Sequence, residues 1–236
     1  MSDHNVPFGP PRVHPAVDAV GDALDAWTDK FAIGDERLRA ARFHRLAARV
    51  LPDSPRTAVE LLAQWTAWLA SQPIPTAYAD LAAVIEGSVP ADEAAPTVIA
   101  LVDLWPRTAV GMSLAWRRRC LQHVRDGSGL FAYDVVEAVC RTEIPVGIAH
   151  STSWKAICAA VGELTEWCEV AAPTGQVQDR VQRLASAQLD LLRHLHACHP
   201  AIYAPVLEIA ETIGAMPGAY LAWLQELDPG LAGSLP

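Results

Sequence analysis

The chain has 236 residues, 51% of them hydrophobic and 19% charged, which is enough apolar content for a sizeable core and too much for a disordered chain. Its formal net charge of -9 argues against a nucleic-acid or anionic-membrane partner, because a phosphate surface is held by a basic one. Five cysteines without a CxxC pair, Cys120, Cys140, Cys158, Cys168 and Cys198, read as buried thiols of a reducing cytoplasm.

The start, MSDHNVPFGPPRVHP, has no basic segment followed by an apolar run, so secretion is not expected. No apolar run approaches the roughly 18 residues of a membrane span. Apolar residues recur at helical spacing almost throughout, and β-branched runs between turns are scarce, so the chain reads as all-α. Residues 1–12 read as an extended proline-rich arm, 13–227 as one helical domain and 228–236 as a frayed tail. The periodicity predicts helices over 14–30, 35–51, 55–71, 76–87, 92–105, 113–126, 131–141, 151–170, 175–198, 201–214 and 217–227. Start signals are Asp53 or Ser54 before Pro55, and Ser113 three residues before Trp116; the expected stops are Gly87, Gly127 and Gly214. LAAVIEG, TVIALVDLW and WKAICAAVGEL are apolar on more than one face, which predicts burial among several helices or the wall of an apolar cavity. Eight tryptophans fit such a wall, since a rigid ring covers area and its face attracts a cation.

Four blocks in order carry a resemblance: PFGPPRVHPAVDAVGDALDAWTDKFAI, DERLRAARFHRLAARVLPDSP, LLAQWTAWLA and DLWPRTAVGMSLAWRRRCLQHVRD. Together they resemble the N-terminal half of bacterial class I terpene synthases, and YDVVEAVCRT and AYLAWLQEL extend the likeness more weakly to residue 227. The resemblance implies a helical bundle around a central apolar cavity with a polar mouth. It also implies a trinuclear magnesium cluster that neutralises a substrate diphosphate so that an allylic carbocation can form. Magnesium takes hard oxygen ligands, chiefly carboxylates.

Here the chain departs from the family. In WTAWLASQPIPT, the places of the family's three aspartates fall on Gln72, Pro73 and Thr76, none of them a carboxylate. Trp65, Trp68 and Gln72 still share a helix face, and Pro73 and Pro75 predict that the helix stops near Ser71. The second metal motif is missing too: no Asn or Asp is followed four residues on by Ser, Thr or Gly and eight on by an acid. Its expected segment, ELTEWCEVAAPTGQVQDRVQRL, is shortened around a Pro-Thr-Gly turn at 173–175, and the family's closing Arg-Tyr pair is replaced by LAGSLP. The acidic pairs Asp35-Glu36 and Asp92-Glu93 read as first-turn or loop charges. No metal or other cofactor is therefore expected.

Trp65, Trp68, Gln72 and Thr76 are the expected ligand-pocket residues, with an apolar pocket beside the two tryptophans. Arg107 and Arg141 lie where the resemblance implies diphosphate-sensing arginines, and a guanidinium suits bidentate phosphate binding. Arg117, Arg118 and Arg119 read as a solvated helix face. In RHLHACHP, His194 and Cys198 share one face and His196 and His199 another, a split that disfavours one four-ligand zinc site. His150-Ser151 does not amount to a hydrolase motif, and Asp134, Glu137 and Glu143 are candidate acids or bases.

Three functions follow. The first is a metal-independent enzyme that folds an isoprenoid-like substrate for cyclisation or rearrangement. The second is a non-catalytic relative that binds such a ligand or an active partner. The third is a cyclase that handles a diphosphate with arginines in place of magnesium. In each the partner is a hydrophobic small molecule, without nucleic acid or membrane insertion, and a homodimer stays open.

Overall fold

The computed structural model describes residues 12–88, 94–170, 174–196 and 200–227. The expected arm up to residue 11, Asp92-Glu93, Pro173, Cys198, His199 and the tail lie outside the described residues. Every regular element among the described residues is a helix, as the periodicity predicts. Local chemistry sets several starts. Asp35 Oδ1 accepts from the Leu38 amide at 2.7 Å, Ser113 Oγ from the Trp116 amide at 3.1 Å, and Ser151 Oγ from the Trp154 amide at 3.2 Å. Gly87 and Gly127 end their helices in the left-handed region, at φ 69° and 63°.

The chain divides into two compact units. The first, Val13–Glu143, holds α1 (Val17–Lys30), α2 (Glu36–Ala41), α3 (Phe43–Val50), α4 (Arg56–Ala70), α5 (Ile74–Glu86), α6 (Pro96–Ala109), α7 (Leu114–Arg125) and α8 (Phe131–Val139). Helix α4 is its centre and packs on α1, α3, α6 and α8. Hence it is buried nearly all round, by Val59, Leu61, Leu62, Ala63, Trp65 and Trp68. The second unit, from Ile144 onward, holds α9 (Val146–Ala149), α10 (Thr152–Val170), α11 (Thr174–Leu195) and α12 (Pro200–Leu227). Its three long helices pack pairwise over Ile157, Leu164, Leu191, Ile209 and Ile213.

Several boundaries and one burial expectation differ; the helix expected over 92–105 is α6, Pro96–Ala109. The helix expected over 35–51 is broken at Arg42, which adopts a left-handed φ of 50°. Gly214 is not a stop: α12 runs through it, joining the two helices expected there. A Cβ at Gly214 would lie 2.4 Å from Gln188 Nε2 of α11, so the glycine serves close helix packing. Finally, TVIALVDLW is not buried on all faces, because Ile99 and Val102 lie on the surface.

Candidate functional site

Helix α4 ends at Ala70, as the prolines predict, and α5 begins at Ile74 with Pro75 in its first turn. Five and two residues before that end, the tryptophans are core: Trp65 is 1% exposed and Trp68 0%. Their rings meet edge to face at 5.6 Å, and Trp65 meets Phe131 at 5.5 Å. Trp65 Nε1 donates to Thr108 Oγ1 at 2.7 Å, and the Thr108 hydroxyl donates in turn to Leu104 O at 2.9 Å. Trp68 Nε1 donates to Thr97 O at 2.8 Å. The two indoles therefore clasp α4 to both ends of α6, and rings so little exposed add almost no wall to a pocket. Thr108→Val would leave the Trp65 N–H buried without its acceptor; a loss of about 1–3 kcal/mol in chemical denaturation is expected.

Beyond the clasp lies a polar corner. Thr76 is exposed on the first turn of α5, and Asp80 is half-buried one turn later on the same face. Gln72 Nε2 is buried and has no hydrogen bond of ordinary geometry. The Gln72 amide nonetheless lies near enough to Asp80 to favour that carboxylate's charge; burial outweighs it, and the Asp80 pKa is raised. The sequence reading missed Asp80, although its place four residues after Thr76 and eight after Gln72 was visible. Across 70–80, Asp80 is the one carboxylate. An amide, a hydroxyl and one carboxylate are not the oxygen set that a magnesium cluster takes. Among the described residues, no three His, Cys, Asp or Glu side chains converge as metal ligands would.

The two candidate phosphate-binding arginines come together, but they serve their own chain. Arg107 Nη2 donates to Asp103 Oδ2 at 2.6 Å and to Gln64 Oε1 at 2.9 Å. Asp103 also accepts from Trp27 Nε1 at 3.0 Å. Arg141 Nη1 donates to Thr108 O at 3.2 Å and Val110 O at 3.1 Å, and its Nη2 to Arg107 O at 3.0 Å. With Arg117 Nη2 on Ala109 O at 3.0 Å, two guanidinium groups cap the carbonyl end of α6. The backbone favours this use. Arg141 follows α8 in the left-handed region at φ 54°, with its N–H on Ala138 O and the Thr142 N–H on Glu137 O. Glycine would suit that position better by about 1 kcal/mol. Arg141→Gly relieves the strain but removes the clamp, and a net loss of about 1–2 kcal/mol is expected by thermal denaturation.

The triple-arginine face is corrected. Only Arg118 is exposed. Arg119 Nε donates to Asp134 Oδ1 at 3.0 Å and its Nη2 to Glu137 Oε2 at 2.5 Å. His123 Nδ1 lies 2.7 Å from Asp134 Oδ2, and since an ionised carboxylate only accepts, that nitrogen carries the hydrogen. Burial opposes the Arg119 charge, but Glu137 and Asp134 outweigh it and hold the guanidinium protonated. Burial, and then Asp134, push the thiol of Cys120 upward, so it is inert as a nucleophile. Two of the three candidate acids are thus locked into an ion network. The third, Glu143, accepts from Ser113 N and Oγ at 3.0 and 2.6 Å and fixes the start of α7.

In the second unit, α10 and α11 leave an open cleft of about 410 Å³, floored by Ala156, Ala159, Ala160 and Ala187 and rimmed by the Glu163–Arg183 pair at 2.5 Å. His196 stacks on Tyr203 at 5.5 Å, a packing role for one member of the histidine cluster. Cys120 and Cys158 are buried, and Cys140 is half-buried.

Solved structures match this helical order over nearly the whole chain. Cucumene synthase superposes with a TM-score of 0.79 at 21% identity, over 92% of this chain and 98% of that one. The fold is that of a terpene synthase. Germacradien-4-ol synthase from Streptomyces citricolor superposes with a TM-score of 0.78 at 17% identity, over 96% of this chain and 100% of that one. Hedycaryol synthase in complex with nerolidol gives 0.75 at 17% identity, over 94% and 99%. No protein-family model matches the chain, and no curated protein matches it by sequence. In this terpene synthase fold, no helix among the described residues is long and apolar enough to cross a membrane.

Proposed function

We propose that the chain encloses a hydrophobic, isoprenoid-like substrate and catalyses its cyclisation or rearrangement without a metal, with Asp80 as the proton-transfer group. The observation that carries this reading is the polar corner after α4, where Asp80 stands beside Gln72, whose buried Nε2 has no hydrogen bond of ordinary geometry, and one turn beyond Thr76. A carboxyl group there gives a proton to the substrate, and the carboxylate takes one back after the skeleton has rearranged. The net change is an isomerisation, so no co-reactant is consumed. Gln72 supplies a donor toward developing negative charge on the ligand or on Asp80, and Thr76 a second polar contact. The clasped Trp65 and Trp68 stiffen this corner from behind. The fold supports an apolar ligand, and a structural relative has been solved with nerolidol bound. The proposed setting is cytoplasmic secondary metabolism in a bacterium, with residues 13–227 acting as one functional domain.

A second reading, a non-catalytic ligand-binding or partner protein, draws on a different observation: Arg107 and Arg141 are engaged by the chain's own acceptors. The same engagement weighs against arginines replacing magnesium at a diphosphate, since Arg141 would have to release three carbonyls.

The deciding experiment incubates the protein with isoprenoid alcohols and other hydrophobic metabolites, with and without EDTA, and follows products by mass spectrometry. A new isomer in both arms is expected. Turnover of geranyl, farnesyl or geranylgeranyl diphosphate that requires magnesium would refute the proposal. Ligand binding without product in either arm would favour the second reading.

A further inference from the structure

Buried tryptophans of the first unit satisfy their indole N–H within the chain: Trp27 on Asp103 at 3.0 Å, Trp65 on Thr108 at 2.7 Å and Trp68 on Thr97 at 2.8 Å. Trp116 does not. It is 0% exposed, on the buried face of α7 with Cys120 and Val124, and its Nε1 meets no acceptor among the described residues. The neighbouring ring is not an acceptor either. Trp116 lies 12° from parallel to Trp105, with centroids 5.6 Å apart, and an indole N–H lies in the plane of its ring. The N–H therefore runs alongside the Trp105 face instead of into it.

A buried donor without an acceptor costs stability, and nearly every such group in a folded protein has a partner, in the chain or in what the chain binds. The missing partner of Trp116 is an acceptor, and its surroundings fix the chemistry. Trp105, Cys120 and Val124 are apolar. The neighbouring cations of α7 are engaged elsewhere: Arg117, whose Nε is also buried without a partner, donates to Ala109 O, and Arg119 to Asp134 and Glu137. A neutral oxygen on an otherwise apolar molecule fits that place better than an anion, whose charge would be buried unpaired. Helix α7 also packs on α5, the helix of Asp80, so the N–H and the acid belong to one compact unit.

We propose that Trp116 Nε1 anchors the oxygen of an oxygenated isoprenoid, an alcohol or ketone. This assignment rests on the isomerisation proposed above and narrows its substrate class from a hydrophobic molecule to one with a neutral oxygen. A site built to hydrogen-bond one group rejects the analogue that lacks it, because the donor then stays buried and unpaired. Trp116 is a binding residue here, and proton transfer stays with Asp80.

The test compares geraniol and farnesol with their deoxy hydrocarbons by fluorescence titration of the full chain. Each alcohol should bind about tenfold more tightly than its hydrocarbon. Trp116→Phe should remove that preference, and Trp105→Phe, which keeps the Trp116 N–H, should retain it. In NMR spectra of the indole N–H groups, the signal missing from Trp116→Phe should move downfield with alcohol and stay in place with hydrocarbon. Absent or equal wild-type binding of alcohol and hydrocarbon would overturn the anchor. So would a preference that survives Trp116→Phe or is lost equally in Trp105→Phe, or a Trp116 signal unmoved by alcohol because a buried water already fills the place. The wild-type affinities decide alone if Trp116→Phe does not fold. An alcohol preference without any isomer among the products keeps the anchor and refutes the reaction, whereas an isomer formed without the preference does the reverse.

Discussion

Arg119→Met is expected to lower folding stability by about 3–5 kcal/mol, measured by urea denaturation with a two-state fit. The side chains of Asp134 and Glu137 are 2% exposed, and that of Arg119 8%. Removing the guanidinium leaves two carboxylates of like sign in the low-dielectric contact between α7 and α8. His123 reaches only one of them, at 2.7 Å. A loss of that size is a large share of the 5–15 kcal/mol that holds a typical domain together. The contrasting variant is the triple Arg119→Met, Asp134→Leu, Glu137→Met, which removes charge and partner together. Because ion-pair attraction in a protein interior barely exceeds the cost of dehydrating the ions, the triple variant should recover most of the single variant's loss. A single variant that loses less than about 1 kcal/mol would show that water reaches the network.

Asp80→Asn is expected to reduce turnover about 10²–10⁴-fold while ligand affinity stays within a few-fold. Asparagine matches aspartate in shape, so the corner at Gln72 and Thr76 should persist and only the exchangeable proton is lost. Asp80→Glu should restore part of the rate. The pH profile gives an independent check. Burial raises the Asp80 pKa despite the opposing Gln72 contact, so the carboxyl keeps its proton to higher pH than an ordinary aspartate. If its protonated form is the reactive one, the rate falls as pH rises through that raised value, and Asp80→Asn abolishes this limb. Stability moves the same way. A carboxyl whose folded pKa exceeds its unfolded one favours the fold when protonated, and this contribution fades as pH rises through the folded pKa. Unchanged turnover in Asp80→Asn would remove Asp80 from the chemistry without touching the fold.

Much of the helical framework was readable because helix signals are local. Apolar spacing located α4, α7, α8 and α10 to within a residue or two, and Pro73 and Pro75 located the end of α4. Glycine was harder to read. Gly87 and Gly127 end helices, whereas Gly214 lies inside α12 because Gln188 of another helix needs the space a side chain would fill. The arginines posed the same difficulty in another form. Arg117, Arg118 and Arg119 are adjacent, yet one is exposed, one caps α6 and one lies in a buried ion network with acids from α8. Periodicity reports which residues share a face. It does not report which helix that face meets.

What the sequence determined by itself was the all-α class, most helix limits, and the amide and hydroxyl where the resembled family carries aspartates. These are properties of residues and their near neighbours, within reach of one helical turn. Tertiary structure decided the rest. Trp65 and Trp68 became a clasp between α4 and α6, Arg141 a cap on three carbonyls, and Asp80 a half-buried acid beside Gln72. The tryptophans and Arg141 depend on partners far along the chain, such as Thr108 for Trp65 or Arg107 for Arg141, and the burial that raises the Asp80 pKa exists only once the helices have packed.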